Sequence, residues 1–389
     1  MIQRARTIRI AIVSPNAPPL NVFKGLLGGG ETFAVSIARQ LADLKHEVTF
    51  LTVSKNSGSY YVNEKLNFRY MKSSVWSTGK DDISSLQIFQ DLKKYDVVHV
   101  QQLCMSLTLS ACFASKMQKI PTFLTDHAGG SLFLYAMPQF CAKFPNYFLP
   151  ISEYSSRWLQ SLSPSTKSTV VYGGVNPEVF HPNYDYSDIN KRLDLDGYRV
   201  ILFVGRVAPH KGIEVLIKAF RYLPPKSKLL IVGPIRDSRY MAFLQETAKK
   251  FCPGRMLVLG AVPEEDLPKY YNACDVFVLP SVYTDYLGHY HRFPELLGLV
   301  KFEAMACSKP VIVSNVGGLP EQVINGENGF VVASGNEEQL AYAINKVLAD
   351  DKHKRRMGAN GLRLVQEKFT WKMTAKRILH SYESALKSG

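Results

Sequence analysis

The segment Gly205-Arg206-Val207-Ala208-Pro209-His210-Lys211-Gly212 sets a guanidinium and an ammonium five residues apart, framed by glycines. Such a pair can clamp a diphosphate, the arginine as a planar fork and the lysine as a point charge. The alternative is two solvated loop cations. Further on, Glu295 and Glu303 are eight residues apart, with Gly298 between them. On one continuous helix they would stand about 12 Å apart along the axis, too far to act as a pair. The spacing therefore predicts that Glu295 ends a loop and that Glu303 lies in the following helix. The free amides of that helix, near Gly298, Leu299 and Val300, can face a phosphate. Glu303 sits among Phe302, Ala304 and Met305, so its carboxylate needs a partner: ligand hydroxyls, or a structural salt bridge.

Two candidates lie in the first half. Gly28-Gly29-Gly30-Glu31 precedes a helical pattern. Backbone amides and a helix N-terminus there can approach an anion, or simply make a turn and its cap. The loop is not G-x-G-x-x-G, so it carries no dinucleotide fingerprint. Thr125-Asp126-His127-Ala128-Gly129-Gly130 places a histidine before glycines, where it can reach a substrate hydroxyl or serve a structural role.

These residues need a scaffold that brings strand ends together. Short apolar runs at 8–13, 48–53, 68–71, 97–100, 122–125, 147–150 and 169–172 alternate with helical patterns such as Phe33, Ile37, Leu41 and Leu44. The pattern restarts at 200–204, 228–232, 256–259, 276–279, 310–313 and 330–332, with helices expected at 213–222 and 338–349. Apolar strands separated by amphipathic helices imply parallel sheets covered on both faces. Such sheets bind ligands at the carboxyl ends of their strands, where the candidates fall. The polar stretch 181–198 reads as a linker, and 371–386 as an amphipathic helix that must dock to stay ordered.

The chain has 389 residues, enough for two domains, and a net charge of +14. That surplus favours polyanionic partners: phosphorylated small molecules, nucleic acid or an anionic membrane surface. No RNA-binding or helix-turn-helix signature accompanies it, which argues against nucleic acid. The six cysteines form no CxxC pair and no metal spacing, as expected of reduced, buried thiols in a cytoplasmic protein. The apolar run at the N-terminus is shorter than a signal peptide requires, and no stretch approaches a membrane span.

Taken in order, these elements resemble the retaining glycosyltransferase family 4, over nearly the whole chain. GRVAPHKG is similar to the family's Gly-Arg…Lys-Gly phosphate clamp. VLGAVPEEDLPKYYNACDVFVLPS is similar to its base-binding turn and next strand, and ELLGLVKFEAMACSKPVIVSNVGGLPEQVINGENGFVV to its Glu-x7-Glu block. VYGGVNPEVFHP resembles the entry to the linker, while GLLGGGE and DHAGG match more loosely. The resemblance implies the GT-B fold, two Rossmann-like doubly wound domains facing across a cleft. Residues 1–180 would bind the acceptor and 181–370 the nucleotide sugar, with 371–389 crossing back to the first domain. It implies that Arg206 and Lys211 neutralise the donor diphosphate, that Glu303 takes the ribose hydroxyls and that the Val262 backbone meets the base. Glu295 with the amides near Gly298 and Leu299 would hold the donor sugar and its phosphate. Gly29 and Gly30 would approach the diphosphate, and His127 the donor sugar or the acceptor hydroxyl.

The activity so implied is transfer of a hexose, with retention, from a nucleotide diphosphate sugar such as a UDP- or GDP-sugar. The acceptor would be a hydroxyl of a lipid-linked, polysaccharide or small-molecule partner. No metal or other cofactor is required, because the two cations replace it. A sugar-nucleotide epimerase of the same architecture is the competing reading. One departure is the longer stretch VYTDYLGHYHRFP, residues 282–294. His289 and His291 there lack a third metal ligand, and the loop is expected to shape the donor-sugar or acceptor pocket. The aromatic stretch at 131–148 and the basic charge suit peripheral contact with the anionic cytoplasmic face of a membrane, a buried helix being the alternative.

Overall fold

The computed structural model describes residues 6–15, 28–79, 82–128, 134 and 136–388. These divide into two compact units. One takes the described residues up to Gly173 together with those from Trp371 onward; the other is Gly174–Thr370. The polar stretch 181–198 thus lies inside the second unit, and the boundary falls ahead of it.

In the first unit the strands are β1 (Arg9–Val13), β2 (Glu47–Ser54), β3 (Gly58–Tyr61), β4 (Leu66–Lys72), β5 (Ser74–Gly79), β6 (Asp82–Ser84), β7 (Val97–Gln101), β8 (Thr122–Thr125), β9 (Tyr147–Phe148) and β10 (Lys167–Ser168). The main sheet runs β10-β9-β8-β7-β1-β2-β4-β3 among the described residues. All its pairs are parallel except β3 with β4. Every residue of β7 is buried, as are Ile10 to Val13 of β1, which is why these central strands read as unbroken apolar runs. Sequence order reverses at β1 and β7, so ligand-facing residues belong after Val13 and Gln101.

The sequence differs from this sheet in three places. The run 169–172 lies just past β10 (Lys167–Ser168): Thr169 N and Val171 N still donate to the Phe148 and Pro150 carbonyls at 3.0 and 2.9 Å, and Tyr172, at φ 56°, breaks extended geometry. Strand β3 turns back antiparallel on the edge, where exposed Tyr60 and Tyr61 lack the apolar signal of a buried strand. The β5–β6 hairpin stands outside the main sheet.

The terminal helix Trp371–Ser388 belongs to this unit and packs on the helix Gly29–Asp43. Trp371 meets Phe33 edge-on, with ring centres 5.7 Å apart. Tyr382, fully buried, donates its hydroxyl to His99 Nδ1 at 2.7 Å. His99 Nε2 lies 2.8 Å from Thr125 Oγ1, which itself donates to the Leu149 carbonyl. His99 therefore carries its proton on Nε2 and accepts from Tyr382. Burial drives its pKa down to about 3, with His127 adding to the effect.

The second unit holds β11 (Arg199–Val204), β12 (Ser227–Val232), β13 (Met256–Gly260), β14 (Val276–Leu279), β15 (Val311–Ser314) and β16 (Gly329–Val332). They form one parallel sheet in the order β13-β12-β11-β14-β15-β16. This is the doubly wound order of a nucleotide-binding fold, with its reversal between β11 and β14. The expected strands agree with it to within a residue or two at their ends.

Candidate active site

The second unit builds its candidates on the ends of β11 and β14. Arg206 follows β11 by two residues and is exposed, with no hydrogen bond or ion pair to any described residue. An unpaired guanidinium beside a strand's carboxyl end is available to an anion. Lys211 closes the short 3-10 turn Pro209–Lys211 and leads through Gly212 into the helix Ile213–Ala219. It is buried, and its ammonium is tied directly to Glu295 Oε1. Ser281 Oγ, just after β14, donates to the same oxygen at 3.3 Å. The lysine is thus not a free cation; its ion pair with Glu295 leaves further N–H donors on Nζ. His210 is kept neutral, its pKa pulled down to about 4 by burial and then by Lys211.

Glu295 lies in a loop and Glu303 in the helix Leu299–Ala306, as the spacing predicts. The partner of Glu303 is neither a cation nor solvent alone. Tyr271 donates its hydroxyl to Oε2 at 2.7 Å. Oε1 has no hydrogen-bond partner among the described residues and remains open to a ligand hydroxyl. Burial pushes the Glu303 carboxyl up to about 7; the Tyr271 bond opposes this and Glu264 adds to it. Gly298 caps the helix without a side-chain bond; Lys301 N donates to the Gly298 carbonyl at 3.1 Å, which leaves the amides of Leu299 and Val300 for an acceptor. Val262 stands two residues after β13, half-buried.

Glu295 is positioned through its backbone. Gly318 donates its N–H to the Glu295 carbonyl at 3.1 Å. Gly317, at φ 55°, runs so close that a Cβ there would lie 1.7 Å from the same oxygen. Only glycine fits both demands. The loop 282–294 reaches this turn: Tyr283 OH accepts from Gly317 N at 2.9 Å, and Val282 N donates to the His210 carbonyl at 2.9 Å. The loop is folded around Asp285, whose carboxylate accepts from the amides of Leu287 and His289 and lies 2.8 Å from His291 Nε2. Both histidines turn to that one carboxylate, and no described cluster of His, Cys, Asp and Glu could hold a metal ion.

Lys301 was not a candidate on the sequence, yet it braces this region. Its side chain is fully buried, and Nζ donates to the carbonyls of Gly318 at 3.1 Å and Leu319 at 2.9 Å. Burial lowers its pKa to about 7, against the pull of Glu321 and Glu295. A single lysine inside the apolar run LLGLVKFEAMA was the available signal.

In the first unit, Gly29 opens the helix Gly29–Asp43 after Gly28 as N-cap, with Glu31 in the first turn. Gly30 is pressed against His127: a Cβ would meet the ring at 3.1 Å. His127 Nε2 lies 2.9 Å from Gln101 Oε1, and its ring packs on Phe33 at 5.1 Å. With Gln101 accepting, Nε2 carries the proton. Burial holds the ring neutral, pKa about 4. Gln101 ends β7 at the reversal point and is buried, and its Nε2 has no partner among the described residues. Asp126 is no solvated acid; its carboxylate accepts from Leu103 N at 3.0 Å. Burial raises its pKa despite the amides of Leu103, Ala128 and His127. Gly129 and Gly130 lie outside the described residues. The structure thus brings Gly30 against His127 and Lys211 against Glu295, while Gly298, Leu299 and Glu303 belong to one helix and its cap and Arg206 lies in the loop after β11.

Comparison with known proteins places the chain. The model described as glycosyl transferases group 1 matches residues 186–363, and that described as glycosyltransferase family 4 matches residues 27–179. The chain belongs to the family 4 glycosyltransferases. An uncharacterized glycosyltransferase of Methanocaldococcus jannaschii is 28% identical over 97% of this chain and 99% of its own length. Among solved structures, sucrose-phosphate synthase from Thermosynechococcus elongatus has a TM-score of 0.76 at 22% identity, covering 99% of this chain and 100% of that one. HepE of Anabaena, in complex with UDP and glucose, has a TM-score of 0.77 at 19% identity, over 97% and 100%. These glycosyltransferases share the GT-B fold with this chain. The transferase is therefore built from two doubly wound domains whose strand-end loops carry the candidate residues.

Proposed function

We propose that this glycosyltransferase moves a hexose from a nucleotide diphosphate sugar to an acceptor hydroxyl, retaining the anomeric configuration. The observation that supports this reading is the strand-end arrangement of the second unit. Arg206, unpaired among the described residues, a Lys211–Glu295 pair and an open Glu303 oxygen lie in loops and a helix that follow β11 and β14. Breaking the anomeric bond puts negative charge on the leaving diphosphate and positive character on the sugar ring. Arg206, with the remaining Lys211 N–H donors, would stabilise that charge without a metal ion. The amides of Gly298 and Leu299 would meet the phosphate and Glu295 the sugar hydroxyls. Glu303 Oε1 would accept from the ribose and the Val262 backbone would face the base.

In the first unit, Gly29 and Gly30 would approach the diphosphate, and neutral His127 would be directed at the sugar or the acceptor hydroxyl. In this reading the departing phosphate takes the acceptor proton on the same face, which accounts for retention. HepE was solved with UDP-glucose, and a mannosyltransferase of Mycolicibacterium smegmatis, 30% identical over 59% of this chain, is named as GDP-mannose-dependent. Both support a UDP- or GDP-hexose donor here. The acceptor hydroxyl would belong to a lipid-linked, polysaccharide or small-molecule partner.

A thermal-shift screen of UDP-, GDP- and ADP-sugars tests the donor. A true donor at 100 times its Kd adds about 2.7 kcal/mol of stability. Donor incubated with acceptor should give product of unchanged anomeric configuration. No shift with any sugar nucleotide, or product of inverted configuration, overturns the proposal.

A further inference from the structure

The first unit carries an exposed apolar face that its own core does not use. The helix Ser106–Met117 turns Ala111, Cys112, Ala114 and Ser115 inward but leaves Phe113 48% and Met117 67% exposed. Four residues apart, these two share one side of the helix. Phe89 extends the face, its ring 6.2 Å from Phe113. On the other flank Phe140, 49% exposed, stacks edge-on against Phe144 at 5.1 Å, and Lys116 covers Phe144 at 6.0 Å. Scattered apolar residues on a surface need no explanation, but a connected aromatic face does.

The segments that carry this face are basic. Lys116, Lys119 and Lys143 are exposed, with Lys93 and Lys94 beside Phe89. The segments 106–121 and 136–148 contain no acidic residue, and the one acid at 86–94, Asp91, is neutralised by Arg69 at 2.6 Å. Long lysines can keep their heads at the headgroup level while aromatic and methionine side chains enter the acyl boundary. A protein partner with acidic side chains would need a preformed complementary shape; a fluid anionic bilayer needs only apolar side chains inside a basic rim. Among the described residues no helix is long and apolar enough to cross a membrane, so this contact would lie in the interface plane.

We propose that this face docks the enzyme peripherally on an anionic bilayer. The surface centres on Phe113, Met117 and Phe140, ringed by Lys116, Lys119 and Lys143. Of the aromatic stretch at 131–148, Phe140 and Phe144 belong to it, while residues 131–133 and 135 lie outside the described structure. The proposal does not depend on the donor or on retention, so either can fail without the other.

Co-sedimentation with phosphatidylcholine vesicles, with and without phosphatidylglycerol, tests it at low and high salt. The full chain should pellet with anionic vesicles at low salt and be released at high salt. The triple variant Lys116→Gln/Lys119→Gln/Lys143→Gln should weaken partitioning about fivefold per lysine, or on the order of a hundredfold in all. The variant Phe113→Ser/Met117→Ser/Phe140→Ser should also bind anionic vesicles more weakly at low salt, because it removes the side chains that enter the acyl boundary. All six positions are exposed, so both variants should keep the wild-type melting temperature and donor-induced shift. Failure of wild type to bind anionic vesicles at low salt overturns the proposal, as does undiminished binding by both variants. So does a concentration-dependent dimer in sedimentation velocity that the serine variant abolishes, since that result assigns the face to a second copy.

Discussion

Replacing Lys301 with methionine removes the ammonium that braces the Glu295 turn while keeping most of the length of the side chain. Two effects oppose each other. The carbonyls of Gly318 and Leu319 lose their donor, at about 1–3 kcal/mol for each buried group left unpaired. Against this, the native protein no longer has to bury a charge. A pKa lowered from 10.5 to about 7 corresponds to about 5 kcal/mol against the protonated form. Near neutral pH the two nearly offset, so a single stability measurement is uninformative and the pH dependence decides. Between pH 7 and 10.5 the unfolded wild type holds a proton that the folded state has released. Stability from this residue is therefore fully present above 10.5 and is lost as pH falls through 7. From pH 7.5 to 9.5 the wild type should gain about 2.5 kcal/mol at Lys301 that Lys301→Met cannot gain. Denaturant unfolding followed by circular dichroism at the two pH values measures the difference. Stability differences that stay constant between pH 7.5 and 9.5 would refute the reasoning, because Lys301 would then titrate alike in both states.

Gly317→Ala should raise the donor KM at least tenfold and lower stability by about 2 kcal/mol or more, since its Cβ would lie 1.7 Å from the Glu295 carbonyl oxygen; unchanged donor binding by calorimetry would contradict this. Glu303, with its pKa near 7, should bind donor more tightly as pH rises from 6 to 8, because the carboxylate is the better acceptor for ribose hydroxyls. Glu303→Gln should flatten that pH profile while keeping the Tyr271 bond, and an unchanged slope would remove Glu303 from the role. Tyr382→Phe leaves buried His99 Nδ1 unpaired and should destabilise by about 1–3 kcal/mol in thermal unfolding; a loss below about 0.3 kcal/mol would show that the terminal helix is anchored elsewhere.

Much of this enzyme is legible in its sequence because central parallel strands are buried on both faces. Runs such as VILFV and VFVL at β11 and β14 admit few other readings, and the cations following VILFV fall at a strand end by consequence. The separation of Glu295 from Glu303 by a glycine was enough to put one in a loop and the other on a helix. What stayed hidden depends on contacts distant in sequence. Nothing local reveals that Lys211 is paired with Glu295, or that Tyr271 supplies the partner of Glu303. Lys301 finds its acceptors 17 and 18 residues away. His99 and Gln101 sit inside an apolar strand, where period and composition report burial but not the hydrogen bonds that make it tolerable. The sequence of the loop 282–294 suggested a pocket wall but could not show that Tyr283 ties it to the Glu295 turn.

The account turns on recognition of a diphosphate by Arg206. Calorimetric titration of the full chain with a nucleoside diphosphate and with the corresponding monophosphate, for wild type and Arg206→Ala, measures this directly. The account predicts that wild type prefers the diphosphate by at least tenfold, that the variant loses most of that preference, and that kcat/KM falls about 100-fold or more. Equal affinity of wild type for the two nucleotides, or a variant that retains the full preference, would contradict it.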